Sequence, residues 1–251
     1  MSTSDLRADF ERDGFVSLPG FLGPEEIAEA RENLERFIRD VVPTMSSTEV
    51  YRENVNDEST LKQLQKMGEH DSWFGELMRG ERFCGLAESL LGEPARPVNL
   101  QYFNKPPGVG QPTPPHQDGY YFHLKPNHAV TMWLALEDVG EEQGCVRYVR
   151  GSNHFGMRAH GKSGTLGFSQ GILDFGIPND LENEVAFPCK AGHLIAHHSL
   201  TIHRADGNRT TERTRQALGF VYFAESCGED VAAKRAYQER LDAELKSKGA
   251  V

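Results

Sequence analysis

From Pro97 onward the chain is a succession of short apolar or alternating runs, broken repeatedly by glycine and proline. Strand-like runs occupy 98–103, 130–136, 145–149, 184–187, 193–196, 200–203 and 216–223. Many short strands at this spacing point to a closed or two-sheet β architecture. All-β barrels of about this length are routinely single domains. No linker, internal repeat or low-complexity tract interrupts the 251 residues. The expected plan is one domain over 1–251. A helical part covers about 1–95, a β-core about 96–225 and a C-terminal helix about 229–247.

The upstream part has a different period. Ser4 can cap a short helix whose face holds Leu6 and Phe10 and which ends at Asp13-Gly14. Residues 15–18 read as a strand. Pro24, Glu25 and Glu26 open a second helix. Ile27, Ala30, Leu34, Phe37, Ile38 and Val41 follow at helical spacing, so that helix lays an apolar stripe on a core. The polar segment 43–56 reads as a surface loop, with a flap over a site as the alternative. Residues 61–67 and 73–78 read as helical, as does 82–91, closed by Gly92.

Charge and cysteine usage narrow the function classes. A formal net charge of −10 argues against non-specific nucleic-acid binding, which needs clustered Lys and Arg. It leaves room for an anionic small molecule in a local basic pocket. Cys84, Cys145, Cys189 and Cys227 are far apart and form no CxxC pair, which suits a reducing, cytoplasmic setting. The first residues show no basic-then-apolar leader, and no stretch has the length of a membrane span.

His116 and Asp118 are two residues apart, which on a strand puts both side chains on one face. With one further imidazole they would form a facial triad of two nitrogens and a carboxylate, the ligand set of non-haem Fe(II) oxygenases. His-x-Asp alone is common by chance, and alone it reads as structural. Its surroundings give it weight. Asn104-Lys105-Pro106-Pro107, His116-Gln117-Asp118, Trp133, Gly144-Cys145, Gly151-Ser152-Asn153-His154, the histidines from 198 to 203, and Arg215 follow in order. This set, spread over about 99–223, resembles the phytanoyl-CoA dioxygenase family, which includes ectoine hydroxylase-like enzymes.

The resemblance implies a mainly β fold with flanking helices around a double-stranded β-helix (jelly roll, cupin-like) core. It implies Fe(II), 2-oxoglutarate as co-substrate and O2. By position His116, Asp118 and His203 match the metal ligands, and Arg215 matches the residue that grips the distal carboxylate of 2-oxoglutarate. Lys105, Gln117 and Trp133 match positions flanking iron or co-substrate. Arg215 lies one residue farther from its histidine than the family pattern has it, so Arg213 is the fallback. A small hydroxyl residue is common two places after the distal histidine; here it is Ala205, and Gln101 is the expected substitute contact. His198 is taken as a packing residue or a support for the site, His197 as without special role, and His193 as structural.

A planar, permanently charged partner suits a carboxylate better than lysine does, which is why arginine is expected at that end. An acid at Asp118, rather than a small residue, favours hydroxylation over halogenation. The expected substrate is a small molecule. A basic stretch of Arg147, Arg150, Arg158, His160 and Lys162 raises an anionic one. Two rival readings are a 2-oxoglutarate-independent cupin-type enzyme, which would not need Arg215, and a sensor that binds metal and 2-oxoglutarate without turnover. Fold alone selects neither the substrate nor the oligomeric state.

Overall fold

The computed structural model describes residues 3–237 and 239. Among these, seven antiparallel strands form a large sheet. Its order is β1 (Phe15–Leu18), β12 (Leu194–His198), β7 (Ala129–Ala135), β14 (Ala217–Ala224), β4 (Ala95–Phe103), β3 (Leu61–Leu64) and β2 (Val50–Arg52). A smaller sheet has the order β11 (Glu184–Ala186), β8 (Val146–Val149), β13 (His203–Ala205) and β5 (Thr113–His116). Two minor pairs complete the β structure. One is the hairpin of β9 (His160–Thr165) and β10 (Phe168–Ile172); the other joins β6 (Leu124–Lys125) to β15 (Gly228–Glu229).

The helices α1 (Thr3–Asp13), α2 (Pro24–Asp40), α3 (Met67–His70), α4 (Ser72–Arg79) and α5 (Glu81–Leu91) precede the core strands. The predicted stripe on α2 is buried at Ile27, Ala30, Leu34 and Phe37. It joins one apolar cluster with Phe74, Phe83 and the outward residues Met132, Leu134, Leu218 and Phe220 of the large sheet. The rings of Phe83 and Phe220 stack 4.3 Å apart. Strand alternation sends the intervening residues to the opposite face. There Trp133, Ile195 and Ala217 pack with Val146 and Tyr148 of the small sheet. The large sheet is therefore covered on one face by helices and faces the small sheet on the other, which explains why β7 and β14 are buried along their whole length.

Several expectations need correction. Residues 61–64 form β3 instead of a helix. Leu, Lys and Gln are good helix formers, but pairing with β2 and β4 overrides that preference. The segment 43–56 is not an open loop, because it contains two short 3-10 turns and then β2, where Val50 and Tyr51 are buried. The strand expected at 200–203 begins only at His203, after a turn closed by Thr201 N–H donating to His198 O. β5 was hidden by Pro114 and Pro115, which are poor strand signals. The glycine-bearing hairpin of β9 and β10 had no strand signal either, and the short helices α6 (Gly119–Phe122) and α7 (Pro178–Asn183) were not anticipated. The C-terminal helix begins at 231, because Glu229 still pairs in β15, and runs to 237; positions 238 and 240–247 of its expected span lie outside the described residues. Among the described residues, no helix is long and apolar enough to cross a membrane.

Candidate metal centre

Antiparallel pairing of β13 with β5 sets His203 directly opposite His116. β5 stops at His116, so Asp118 sits in the turn into α6 and not on the strand as its spacing suggested. One ligand atom from each of His116, Asp118 and His203 lies within 4.8 Å of the others. Asp118 Oδ1 is 3.4 Å from His116 Nε2 and 3.6 Å from His203 Nε2.

The remaining atoms of all three side chains are held in place. His116 Nδ1 donates to Pro114 O at 2.8 Å, and His203 Nδ1 donates to Thr201 O at 3.1 Å. A carbonyl can only accept, so both Nδ1 atoms donate and both Nε2 atoms are the ones turned toward Asp118. The other carboxylate oxygen, Asp118 Oδ2, accepts from Thr131 Oγ1 at 2.6 Å and from His197 Nε2 at 3.1 Å. Thr131 and His197 are cross-strand partners on β7 and β12, and both point inward. Burial works to raise the Asp118 carboxyl, but His203, His116 and His197 outweigh it and hold the group well below the ordinary carboxylate range. Burial, reinforced by His116 and His197, keeps His203 well below its ordinary value and therefore neutral. Two imidazoles and one carboxylate, converging with their other atoms tied down, fit a divalent metal with open positions.

The three ligand atoms open into a cavity of about 800 Å³ between the sheets. Phe103, Tyr121, Phe122, Trp133, Phe168 and Phe223 give it an aromatic wall. Gly167, in the turn between β9 and β10, closes over one side. A Cβ there would lie 2.2 Å from Gln63 Oε1, and its φ of +79° also favours glycine. At another end Arg215 is 4% exposed and its guanidinium carbon lies 5.6 Å from the Trp133 ring centre. Its Nε is buried without a hydrogen-bond partner. Burial pulls the guanidinium down to about 10, and Cys145 and Glu137 oppose that pull, so it stays charged at neutral pH.

The structure brings most of the expected residues to this cavity. His116, Asp118, His203, Arg215, Lys105, Trp133 and Gln101 all line it. Lys105 N–H donates to Arg215 O, while its Nζ reaches Gln111 O and Thr113 Oγ1, and burial holds that amine well below its ordinary value. Gln101 Oε1 accepts from Gln63 Nε2 at 2.9 Å. Thr113 pairs in register with Ala205 and also lines the cavity, so it presents a hydroxyl across from the position where the sequence lacks one. Arg213 sits at the surface beside Glu142 and is not part of the cavity wall.

Three expectations fail. Gln117 points away from the cavity: its Nε2 donates to Gly156 O and Leu200 O, and its Oε1 accepts from Arg158 N. Its side chain ties together the loops that carry Gly156, Arg158 and Leu200. The basic stretch does not line the cavity either. Arg147 pairs with Glu141 and Asp206, Arg150 with Asp13, and Arg158 with Asp174 and Asp180. His160 stacks on Tyr120. His197, expected to have no role, holds Asp118. Its period-2 position on β12, alternating with the core residue Ala196, was the available signal. His198 packs beside Phe10 and His128, and His193 hydrogen-bonds Ser17 at 2.7 Å, both as expected.

The chain is similar to known proteins in both sequence and fold. The family model described as Phytanoyl-CoA dioxygenase (PhyH) matches residues 10–217. The peroxisomal phytanoyl-CoA dioxygenase of Homo sapiens is 25% identical, over 97% of this chain and 74% of that protein. L-proline trans-4-hydroxylase of Streptomyces griseoviridis is 25% identical, over 83% and 82%. Among solved structures, the epimerase SnoN in complex with Fe3+, alpha ketoglutarate and nogalamycin RO is 26% identical. That match covers 90% of this chain and 85% of SnoN, with a TM-score of 0.74.

Proposed function

Because this chain belongs to the phytanoyl-CoA dioxygenase family, we propose that it is an Fe(II)- and 2-oxoglutarate-dependent oxygenase that hydroxylates an unactivated C–H bond of a small molecule, releasing succinate and CO2. Arg215 carries this reading. A buried guanidinium opens into the same cavity as the three ligand atoms and has no carboxylate within ion-pair distance among the described residues. A 2-oxoglutarate-independent enzyme would have no use for it.

Bound Fe(II), with 2-oxoglutarate and O2, supplies the oxidant that removes a hydrogen atom from the substrate. The chain's own residues hold and orient the reactants. His116, Asp118 and His203 would grip the metal from one face and leave the opposite face open. Thr131 and His197 keep Asp118 Oδ2 occupied, so that Oδ1 is the oxygen presented to the metal. Arg215 would take the distal carboxylate in paired N–H···O bonds, with Trp133 beneath it and Lys105 beside it. The aromatic wall would place the substrate C–H and keep bulk water away.

Strand order supports a double-stranded β-helix. Core strands β4, β7, β12 and β14 fall in the large sheet, and β5, β8, β11 and β13 fall in the small one. We read the whole chain as one such domain with helical flanks. Four free thiols support a cytoplasmic, reducing location.

The test is spectroscopic. Anaerobic protein given Fe(II) and then 2-oxoglutarate should develop the weak visible charge-transfer band of the chelate. Arg215→Ala should need about 100-fold more 2-oxoglutarate to develop the same band, the loss expected when a bidentate charged contact is removed. No band in iron-loaded wild type would sink the proposal.

The likeness to SnoN favours a second reading, in which hydrogen removal ends in inversion at carbon and not in hydroxylation. Mass spectrometry of the product separates the two. Hydroxylation adds one oxygen atom, and epimerisation leaves the mass unchanged.

A further inference from the structure

The hydrogen bonds around Asp118 do not stop at His197. Tyr148 lies on β8 of the small sheet, directly opposite His203 in register. Its hydroxyl is 3.2 Å from His197 Nδ1, and both side chains are buried. His197 belongs to β12 of the large sheet, so this contact bridges the two sheets. The far nitrogen of the same ring, His197 Nε2, reaches Asp118 Oδ2 at 3.1 Å. Phenol, imidazole and carboxylate, from three separate parts of the fold, thus form one line. In the sequence Tyr148 is an ordinary position within a strand-like run.

The Tyr148 ring is clamped on several sides. It stacks on Phe15 at 5.0 Å and on His203 at 5.7 Å, and it meets Phe187 edge-on at 5.8 Å. Burial, with Asp118 nearby, holds the phenol well above its ordinary value, so the hydroxyl keeps its proton. At the other end of the line a carboxylate can only accept, so His197 Nε2 is the donor toward Asp118. An imidazole with its proton on Nε2 presents a lone pair at Nδ1, and the Tyr148 hydroxyl is placed to donate to it. With the proton on Nδ1 instead, a nitrogen lone pair would face the Asp118 carboxylate, which is costly in a buried site.

We infer that Tyr148 is a positioning residue for the metal site: its hydroxyl donates to His197 Nδ1 and so fixes that ring as a donor to Asp118 Oδ2. This rests on the metal site proposed above. With Thr131 as the other donor, Oδ2 accepts two bonds and Oδ1 is left for the metal. A carboxylate held to one oxygen takes up a single coordination position, and the others stay open for reactants. Because donor and ring sit on different sheets, the bond also ties the carboxylate to the packing between them.

Two measurements on the full chain test it, and neither needs turnover. The first is Zn(II) affinity by chelator competition. Tyr148→Phe keeps the ring and its stacking, deletes the hydroxyl, and should weaken Zn(II) about 5-fold, as expected for one neutral hydrogen bond behind a ligand. In a His197→Phe background the same change should have no further effect, because the route to Asp118 is already gone. His197→Asn, too short to reach Asp118, serves if the Phe variant does not fold. The second is nitrogen-15 NMR of histidine-labelled protein, with His197 assigned by its absence from the His197 variant. Wild type should carry the His197 proton on Nε2 alone, and Tyr148→Phe should spread it over both nitrogens. Equal loss of Zn(II) affinity in both backgrounds would leave Tyr148 as a packing partner of His203 and overturn the inference. So would unchanged affinity or an unchanged tautomer in Tyr148→Phe, or a wild-type ring that carries a proton on Nδ1. Failure at Tyr148 with Zn(II) still bound removes only this inference, whereas wild type that binds no Zn(II) removes the metal-site reading as well.

Discussion

The two ends of the cavity are built on opposite principles. At the ligand end, each of His116, Asp118 and His203 has its second polar atom already bonded, to Pro114 O, to Thr131 and His197, and to Thr201 O. At the cationic end, Arg215 Nε has no hydrogen-bond partner. A resident metal needs its ligands oriented beforehand, because each one left free to rotate weakens the grip. A co-substrate consumed at every turnover needs the reverse. A donor that stays under-satisfied until it arrives, as Arg215 Nε does, gives it a reason to bind.

Breaking the ligand end should have the largest effect. Asp118→Ala removes the only carboxylate among the three ligands and leaves Thr131 and His197 without their acceptor. Loss of several kcal/mol of metal stabilisation corresponds to about a 1000-fold fall in 2-oxoglutarate turnover. Metal content after dialysis should fall with it, and a variant that keeps both would refute the site. Loosening the same end without removing a ligand should cost less. Thr131→Val keeps the shape, deletes the 2.6 Å bond to Asp118 Oδ2, and should weaken Zn(II) affinity about 10-fold in a chelator competition. Unchanged affinity would mean that His197 alone orients the carboxylate. The smallest effect on the cavity should come from the basic stretch outside it. Arg158→Glu should leave metal and 2-oxoglutarate affinity unchanged. It should still lower stability to urea by about 3 kcal/mol, because Asp180 is 1% exposed and would lose its partner. A selective loss of ligand affinity would restore the basic stretch as a binding surface.

Legibility differed along the chain for physical reasons. The stripe on α2 and the runs at β7 and β14 could be read because amphipathic and fully buried elements leave a periodic record in the residues themselves. β3 could not, since Leu-Lys-Gln-Leu suits a helix, and only its place between β2 and β4 makes it a strand. β5 was masked by two prolines at positions where the sheet tolerates them. Among the proposed site residues, His116, Asp118, His203 and Arg215 were singled out by their types, order and spacing, and the fold brings them to one cavity. Thr131 and His197 were not. Each sits among ordinary core or surface neighbours, and its importance comes from what faces it across the fold. Gln117 shows the converse error: adjacency to two site residues suggested a shared role, but consecutive side chains leave an extended backbone on opposite sides.

The sequence by itself determined the chemistry on offer: two imidazoles and a carboxylate able to hold a metal, an arginine able to hold a carboxylate, and short strands enough for two sheets. These are properties of residue type and of local period, and neither depends on distant parts of the chain. Tertiary structure decided which cations are spent on internal ion pairs and which are left facing the cavity. It also decided which neighbours lock the ligand carboxylate. Those outcomes depend on strand register and sheet-to-sheet packing between segments far apart in sequence. Arg158 and Arg215 are the same residue type, yet Arg158 meets the buried Asp180 and the exposed Asp174, and Arg215 meets an open cavity.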